Sequence, residues 1–172
     1  LNVNTRAAAI DALLAPMLAG ADGGLVSEAG CPAVADPGAL LVRRAHEKGV
    51  RVVPFVGPSS ILLALMASGL NGQSFAFHGY LPTDAADRAK RLRELEQRSR
   101  KEKQTQIFIE TPYRNKAMLD ALLQTCDAST LLCVAVDVTQ DGEQIVTHRI
   151  QGWPQARIDL HKRPAIFLFL GQ

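Results

Sequence analysis

Long apolar runs are missing from this sequence. The longest, Ile61–Ala67 and Ala165–Leu170, fall far short of the ~20 residues that a helix needs to cross a bilayer. Cysteine is scarce: Cys31, Cys126 and Cys133 cannot all pair, and they show neither a CxxC nor a Cys/His ligand spacing. That argues against a disulfide framework and against a zinc site, and it fits a reducing, cytoplasmic setting. Charge of one sign is scarce too. The formal net charge is only +2, which excludes a protein that grips nucleic acid over its whole surface and leaves any RNA contact to a local patch. The chain opens without a methionine or a signal peptide, in polar text (Leu1-Asn2-Val3-Asn4). The expectation is therefore that a beginning is missing.

What is present is 172 residues, 47% hydrophobic and 21% charged, the balance of a folded chain of one large domain or two small ones. Ile10, Leu13, Leu14, Met17 and Leu18 make a helical stripe over Thr5–Leu18, with Pro16 placed to kink it. Leu25–Ser27 reads as a short buried strand running into a glycine- and proline-rich loop. Asp36-Pro37 reads as an N-cap with proline in the first helical position, opening a helix to Lys48 that Gly49 closes. Val50–Val56 reads as a second buried strand, Ile61–Ala67 as a helix capped by Ser59 or Ser60, and Ser74–Tyr80 as a strand. This alternation predicts a mostly parallel sheet with crossover helices over residues 1–79.

Thr83–Lys103 is a highly charged helix, Gln106–Glu110 a strand, and Thr111-Pro112 the start of a helix to about Thr125. Leu131–Asp137 and Gln144–Ile150 are strands joined through Asp141-Gly142, a hairpin signal. After an irregular connection over Trp153–Leu160, Ala165–Leu170 is a last, fully buried strand. Residues 80–172 thus read as a separate mixed sheet. The class is α/β, with two α/β domains that meet near residue 80.

In open α/β sheets, ligands bind at the carboxyl ends of strands. Four loops fall there: Ser27–Gly38, Gly57–Ser60, Glu110–Asn115 and Asp137–Gln140. Each is compatible with ordinary turn chemistry; together they define a cleft. Ser27–Gly38 also resembles the S-[DE]-A-G-x-P-x-x-x-D-P-G signature of the bacterial ribosomal small-subunit cytidine 2'-O-methyltransferases, a branch of the tetrapyrrole methylase superfamily. The resemblance continues in order through Gly49–Pro54, Gly57–Ser60, Ala67–Leu70, Phe77–Pro82, Ile107–Glu110, Arg114, Asp137–Thr139 and the closing strand.

The resemblance implies two α/β domains with the methyl donor, S-adenosylmethionine, in the cleft between them, and a homodimer. It also implies that the family's opening strand, with its own substrate loop, is absent. Carried over by position, the donor contacts are Ala29, Gly30, Cys31 and Val34, then Ser59 and Ser60, then Ile109, Val138 and Thr139. Three positions depart from the ribosomal pattern: Cys31 replaces the usual Thr, Glu110-Thr111-Pro112-Tyr113-Arg114 replaces a Glu-Ser-Thr-His-Arg segment, and Val136–Thr139 replaces an Arg-Glu-Leu-Thr corner.

Methyl transfer from a sulfonium is an in-line displacement, so the protein must align the nucleophile and take its proton. Glu110 is the first candidate base and Tyr113 the next; His78 and Arg114 are candidates for substrate binding. Each has a structural alternative. Glu110 could cap the following helix or pair with Arg114, His78 could be packed, Cys31 could be a small buried residue, and the run Arg88–Lys103 could be a solvated face. Three functions follow: a methyltransferase acting on a ribose hydroxyl of ribosomal RNA, one acting on a tetrapyrrole or other small molecule, or a non-catalytic adenosyl-nucleotide or partner-binding module.

Overall fold

The apolar run Leu131–Val136 becomes a strand because its backbone finds a ladder on both sides. It pairs antiparallel with Gln144–Arg149 and antiparallel with Ala165–Leu170. The computed structural model describes residues 1–2, 4–27 and 31–172. In chain order the elements are α1 (Ala7–Leu18), α2 (Ala39–Glu47), α3 (Ser60–Ser68), β1 (Phe75–Tyr80), α4 (Ala85–Glu102), β2 (Thr105–Glu110), α5 (Asn115–Thr125), β3 (Leu131–Val136), β4 (Gln144–Arg149), a 3-10 turn (Ile150–Gln155) and β5 (Ala165–Leu170). The chain divides into two compact units, Leu1–Ser59 and Ser60–Gln172.

The second unit holds a five-stranded mixed sheet in the order β1-β2-β5-β3-β4. Strand pleating sends alternate side chains to opposite faces. Phe108, Val134, Phe167 and Phe169 point to the face covered by Leu92 and Leu95 of α4, Met118 and Leu122 of α5, and Trp153. Ile107, Cys133, Ala135, Ile166 and Leu168 point the other way, onto Ala64 and Leu65 of α3. The first face is locked by rings: Phe108 stacks on Phe167 at 5.6 Å and meets Phe169 edge-on at 6.2 Å. Trp153 resolves its polar end by donating from Nε1 to the carbonyl of Leu132 at 3.1 Å. Burial pushes the thiol of Cys126 up to about 12, helped by the nearby Glu96, and burial likewise raises that of Cys133. Both are apolar packing groups.

Helix α4 starts where Asp84 accepts from the amides of Ala86 (2.8 Å) and Asp87 (3.0 Å). Its buried residues are Leu92, Leu95, Glu96 and Ser99, and most of its charged residues lie on the remaining surface. Gly79, at a φ of +66°, sits in the irregularity between Phe77 and Tyr80 of β1, a conformation that glycine adopts without a Cβ clash. No helix among the described residues is long and apolar enough to cross a membrane.

The first unit differs from the sequence expectation. Its core is small: Ile10 and Leu14 of α1 pack with Ala45 of α2, flanked by Met17, Leu41, Val50 and Val52. Arg44 of α2 grips Asp11 of α1 through two hydrogen bonds, at 2.6 and 3.1 Å. The parallel sheet expected over residues 1–79 is not formed among the described residues. Leu25–Ser27 and Val50–Val56 have strand composition but no ladder partner, and the third expected strand, now β1, pairs in parallel with β2 in the second unit. The helix expected from Pro37 begins instead at Ala39, because Gly38 at a φ of +149° turns the chain just before it. Likewise α5 starts at Asn115, after a turn in which the amide of Arg114 donates to the carbonyl of Thr111 at 2.9 Å.

Candidate functional site

Within the first unit, the described part of the signature loop is built from unusual backbone. Ala33 and Ala35 both sit in the left-handed region, at φ of 69° and 55°. That conformation costs an alanine roughly 1 kcal/mol or more and persists only where neighbours impose it. Gly38 completes the turn: a Cβ there would stand 3.1 Å from the backbone nitrogen of Ala33 and 3.0 Å from Leu25 Cδ2. The thiol of Cys31 donates to the carbonyl of Pro58 at 3.1 Å, which joins the signature loop to the corner at residues 57–59. Val34 donates its amide to the carbonyl of Cys31 at 3.2 Å and keeps its side chain exposed. Ser27, at the mouth of the loop, has a buried hydroxyl without a hydrogen-bond partner among the described residues. Ala29 and Gly30 lie outside the described residues.

In the second unit the carboxyl ends of β2 and β3 fall close together. Glu110 and Val136 both pair with Ala165 of β5, so the loops that follow them leave the same end of the sheet. Ile109 and Val138 pack on the α3 face. Glu110, the next residue along β2, points to the opposite face. Its side chain is 1% exposed: Oε1 accepts from the amide of Thr111 at 2.6 Å, and Oε2 is 2.6 Å from Arg114 Nη2. Tyr113 stands in solvent, 81% exposed. Asp137 and Thr139 take left-handed conformations (φ 47° and 74°), and Glu143 accepts from the amide of Thr139 at 2.8 Å.

Arg163 holds this corner. Its guanidinium donates to Asp137 Oδ2 at 2.7 Å, to the carbonyl of Gly142, and to the carbonyl of Asp159 at 3.2 Å. The fully buried Asn115 donates to the carbonyl of Arg163 at 2.7 Å, which ties the start of α5 to the same point. Sequence reasoning missed Arg163 and named Asn115 only as the end of a candidate loop. The only local signal was an arginine beside Pro164 at the entry to a buried strand, and nothing in that signal names its partners.

The other sequence candidates divide clearly. His78 lies on β1, and its Nε2 is 2.7 Å from Gln106 Oε1. Burial depresses its pKa below 6.5, and the charges of Arg91 and Arg98 add to that, against the opposing hydrogen bond of Gln106. Ser60 opens α3. On α4, Arg91 pairs with Glu94 at 3.2 Å and Arg88 donates to the carbonyl of Thr83 at 3.0 Å, while Lys90 and Arg93 are exposed and in no ion pair among the described residues.

Comparison with known proteins gives a consistent placement. A family model described as tetrapyrrole (corrin/porphyrin) methylases matches residues 2–152. The ribosomal RNA small subunit methyltransferase I of Vibrio cholerae is 37% identical over 146 residues, covering 85% of this chain and 48% of that protein. Its namesake from Mesorhizobium japonicum is 37% identical over 135 residues, covering 78% and 45%. The chain thus spans about half the length of the curated relatives that it matches. Among solved structures, the methyltransferase CobJ superposes with a TM-score of 0.60 at 19% identity, covering 94% of this chain and 71% of that one. That likeness concerns the fold.

Proposed function

The chain belongs to the tetrapyrrole (corrin/porphyrin) methylase family, and from that premise we propose that it works as part of an S-adenosylmethionine-dependent methyltransferase whose acceptor is a ribose 2'-hydroxyl of ribosomal RNA. One observation carries the reading: the family match runs unbroken from residue 2 to residue 152 and takes in every loop assigned to the donor. The ribosomal acceptor follows from relatives named for that substrate at 37% identity. A cytoplasmic homodimer belongs to the same proposal.

The described residues suit such a donor. The 31–38 loop offers backbone polar groups in a strained path, and the buried hydroxyl of Ser27 has no hydrogen-bond partner among the described residues. The proposed contacts are Ala29, Gly30, Cys31, Val34 and Ser59 in the first unit, and Ser60, Ile109, Val138 and Thr139 in the second. The donor brings an electrophilic methyl on a sulfonium; the protein supplies alignment and a route for the acceptor's proton. Glu110 engages both oxygens, one with Thr111 and one with Arg114, so its proposed role is to fix the strand end and to aim Arg114. Tyr113, the exposed aromatic side chain of that loop, is the proposed group that meets the acceptor. Arg114, with Arg88, Lys90, Arg91 and Arg93 of α4, would hold phosphates.

The test is transfer of a tritiated methyl group by the full-length protein to undermethylated small ribosomal subunits, with total tRNA and uroporphyrinogen in parallel. Label in the ribosomal RNA is expected. Label only in uroporphyrinogen would replace the acceptor, and no donor binding at millimolar concentration would remove the enzyme reading altogether.

A further inference from the structure

Next to the Glu110–Arg114 loop lies a groove of about 410 Å³, within the size range of small-ligand sites. Tyr113 and Lys116 line it from the loop and the first turn of α5. His161 and Lys162 line it from the turn before β5, and Leu119 and Ile158 add apolar surface. We infer that this groove seats one nucleotide of a single-stranded RNA, its base on the ring of Tyr113 and its flanking phosphates held by Lys116 and Lys162. The inference rests on the RNA reading above and deepens it.

Two features separate this groove from a plain anion patch. An aromatic ring left 81% exposed beside an apolar surface offers a stacking platform that a phosphate alone does not need. The lysines come from two different elements, Lys116 from α5 and Lys162 from the turn before β5, and both line the groove with the ring. The competing charges are weakly placed. Lys116 meets Asp120 at 3.2 Å in an exposed i,i+4 pair, and such surface pairs contribute little; Asp159, which also lines the groove, lies 3.8 Å from the largely buried Arg163.

The experiment measures binding of a fluorescent oligocytidylate of about ten nucleotides to the full chain, with polyglutamate as a competitor. Tyr113→Ala should weaken binding about tenfold, the loss of one stacked base, while Tyr113→Phe keeps it. The double change Lys116→Gln, Lys162→Gln should weaken it further and flatten the log–log salt slope by about 1.4, two phosphates' worth on a single strand. All of these side chains are exposed, and unchanged melting temperatures confirm that the fold is intact. The inference is overturned if the chain binds no oligonucleotide. It is also overturned if it binds one equally well after Tyr113→Ala, or if polyglutamate competes at matched charge with no dependence on Tyr113. Methyl transfer to ribosomal subunits is read separately. Transfer preserved in all groove variants removes the groove and leaves the methyltransferase standing; absence of transfer by the unaltered full-length protein removes the parent reading whatever the oligonucleotide does.

Discussion

Arg51–Val56 and Leu131–Val136 are both short, apolar and rich in β-branched residues, yet only the second is a strand. The difference lies in their neighbours. Leu131–Val136 has a ladder on each side, and from Leu132 to Val136 its residues are fully buried. Arg51–Val56 has none among the described residues, and Phe55 and Val56 are 92% and 107% exposed. β-propensity describes fitness for a pleated, half-buried surface and carries no force where that surface is missing. The same contrast separates the two units: one has a core between faces of a sheet, the other a patch between two helices.

The sharpest way to break the comparison is a matched pair of truncations. Phe167→Ala removes a fully buried ring stacked on Phe108, and should cost about 3–5 kcal/mol. Phe55→Ala removes an exposed ring and should stay within about 0.5 kcal/mol. Urea titration followed by circular dichroism reads both. Equal losses would mean that residues 51–56 are buried in solution and that the contrast is not real.

Arg163→Ala comes next. The pair with Asp137 is largely buried, with side chains 18% and 14% exposed, and its loss leaves a carboxylate without its partner. A loss of about 2 kcal/mol is expected, together with weaker donor binding in calorimetry, since Asp137–Gly142 loses its clamp. Stability that falls while donor affinity holds would confine Arg163 to the fold.

The smallest effect concerns pH. Burial depresses the native pKa of His78 below its ordinary 6.5, so the unfolded chain binds that proton more readily. Stability should therefore be full above pH 6.5 and decline as the pH falls through that value toward the native pKa. His78→Gln should shrink the drop in melting temperature between pH values of about 7.5 and 5.5. A variant with an unchanged drop would assign the acid sensitivity to other groups.

Much of the second unit is legible in the amino-acid sequence. The hairpin at Asp141-Gly142, the charged helix capped by Asp84 and the buried last strand all announce themselves locally, through turn chemistry, side-chain capping and period. The signature loop is legible as a loop, and its residues carry the family. Roles inside the site are less accessible. Glu110 reads equally as a base or as the partner of Arg114, and spacing cannot choose between them, since i,i+4 places both residues in reach without saying what else reaches them. Arg163 is invisible because two of its partners, Asp137 and Gly142, come from the β3–β4 connection, far upstream of its own.

By itself the sequence determined the helices, the strands from residue 75 onward, and the family, because each depends on interactions within a few residues or on an ordered series of short motifs. Tertiary structure alone decided that the apolar segment 51–56 finds no ladder among the described residues, that β5 lies between β2 and β3, and that Arg163 closes the corner. Those outcomes depend on which backbone groups and which charges, far apart along the chain, are left without any other partner.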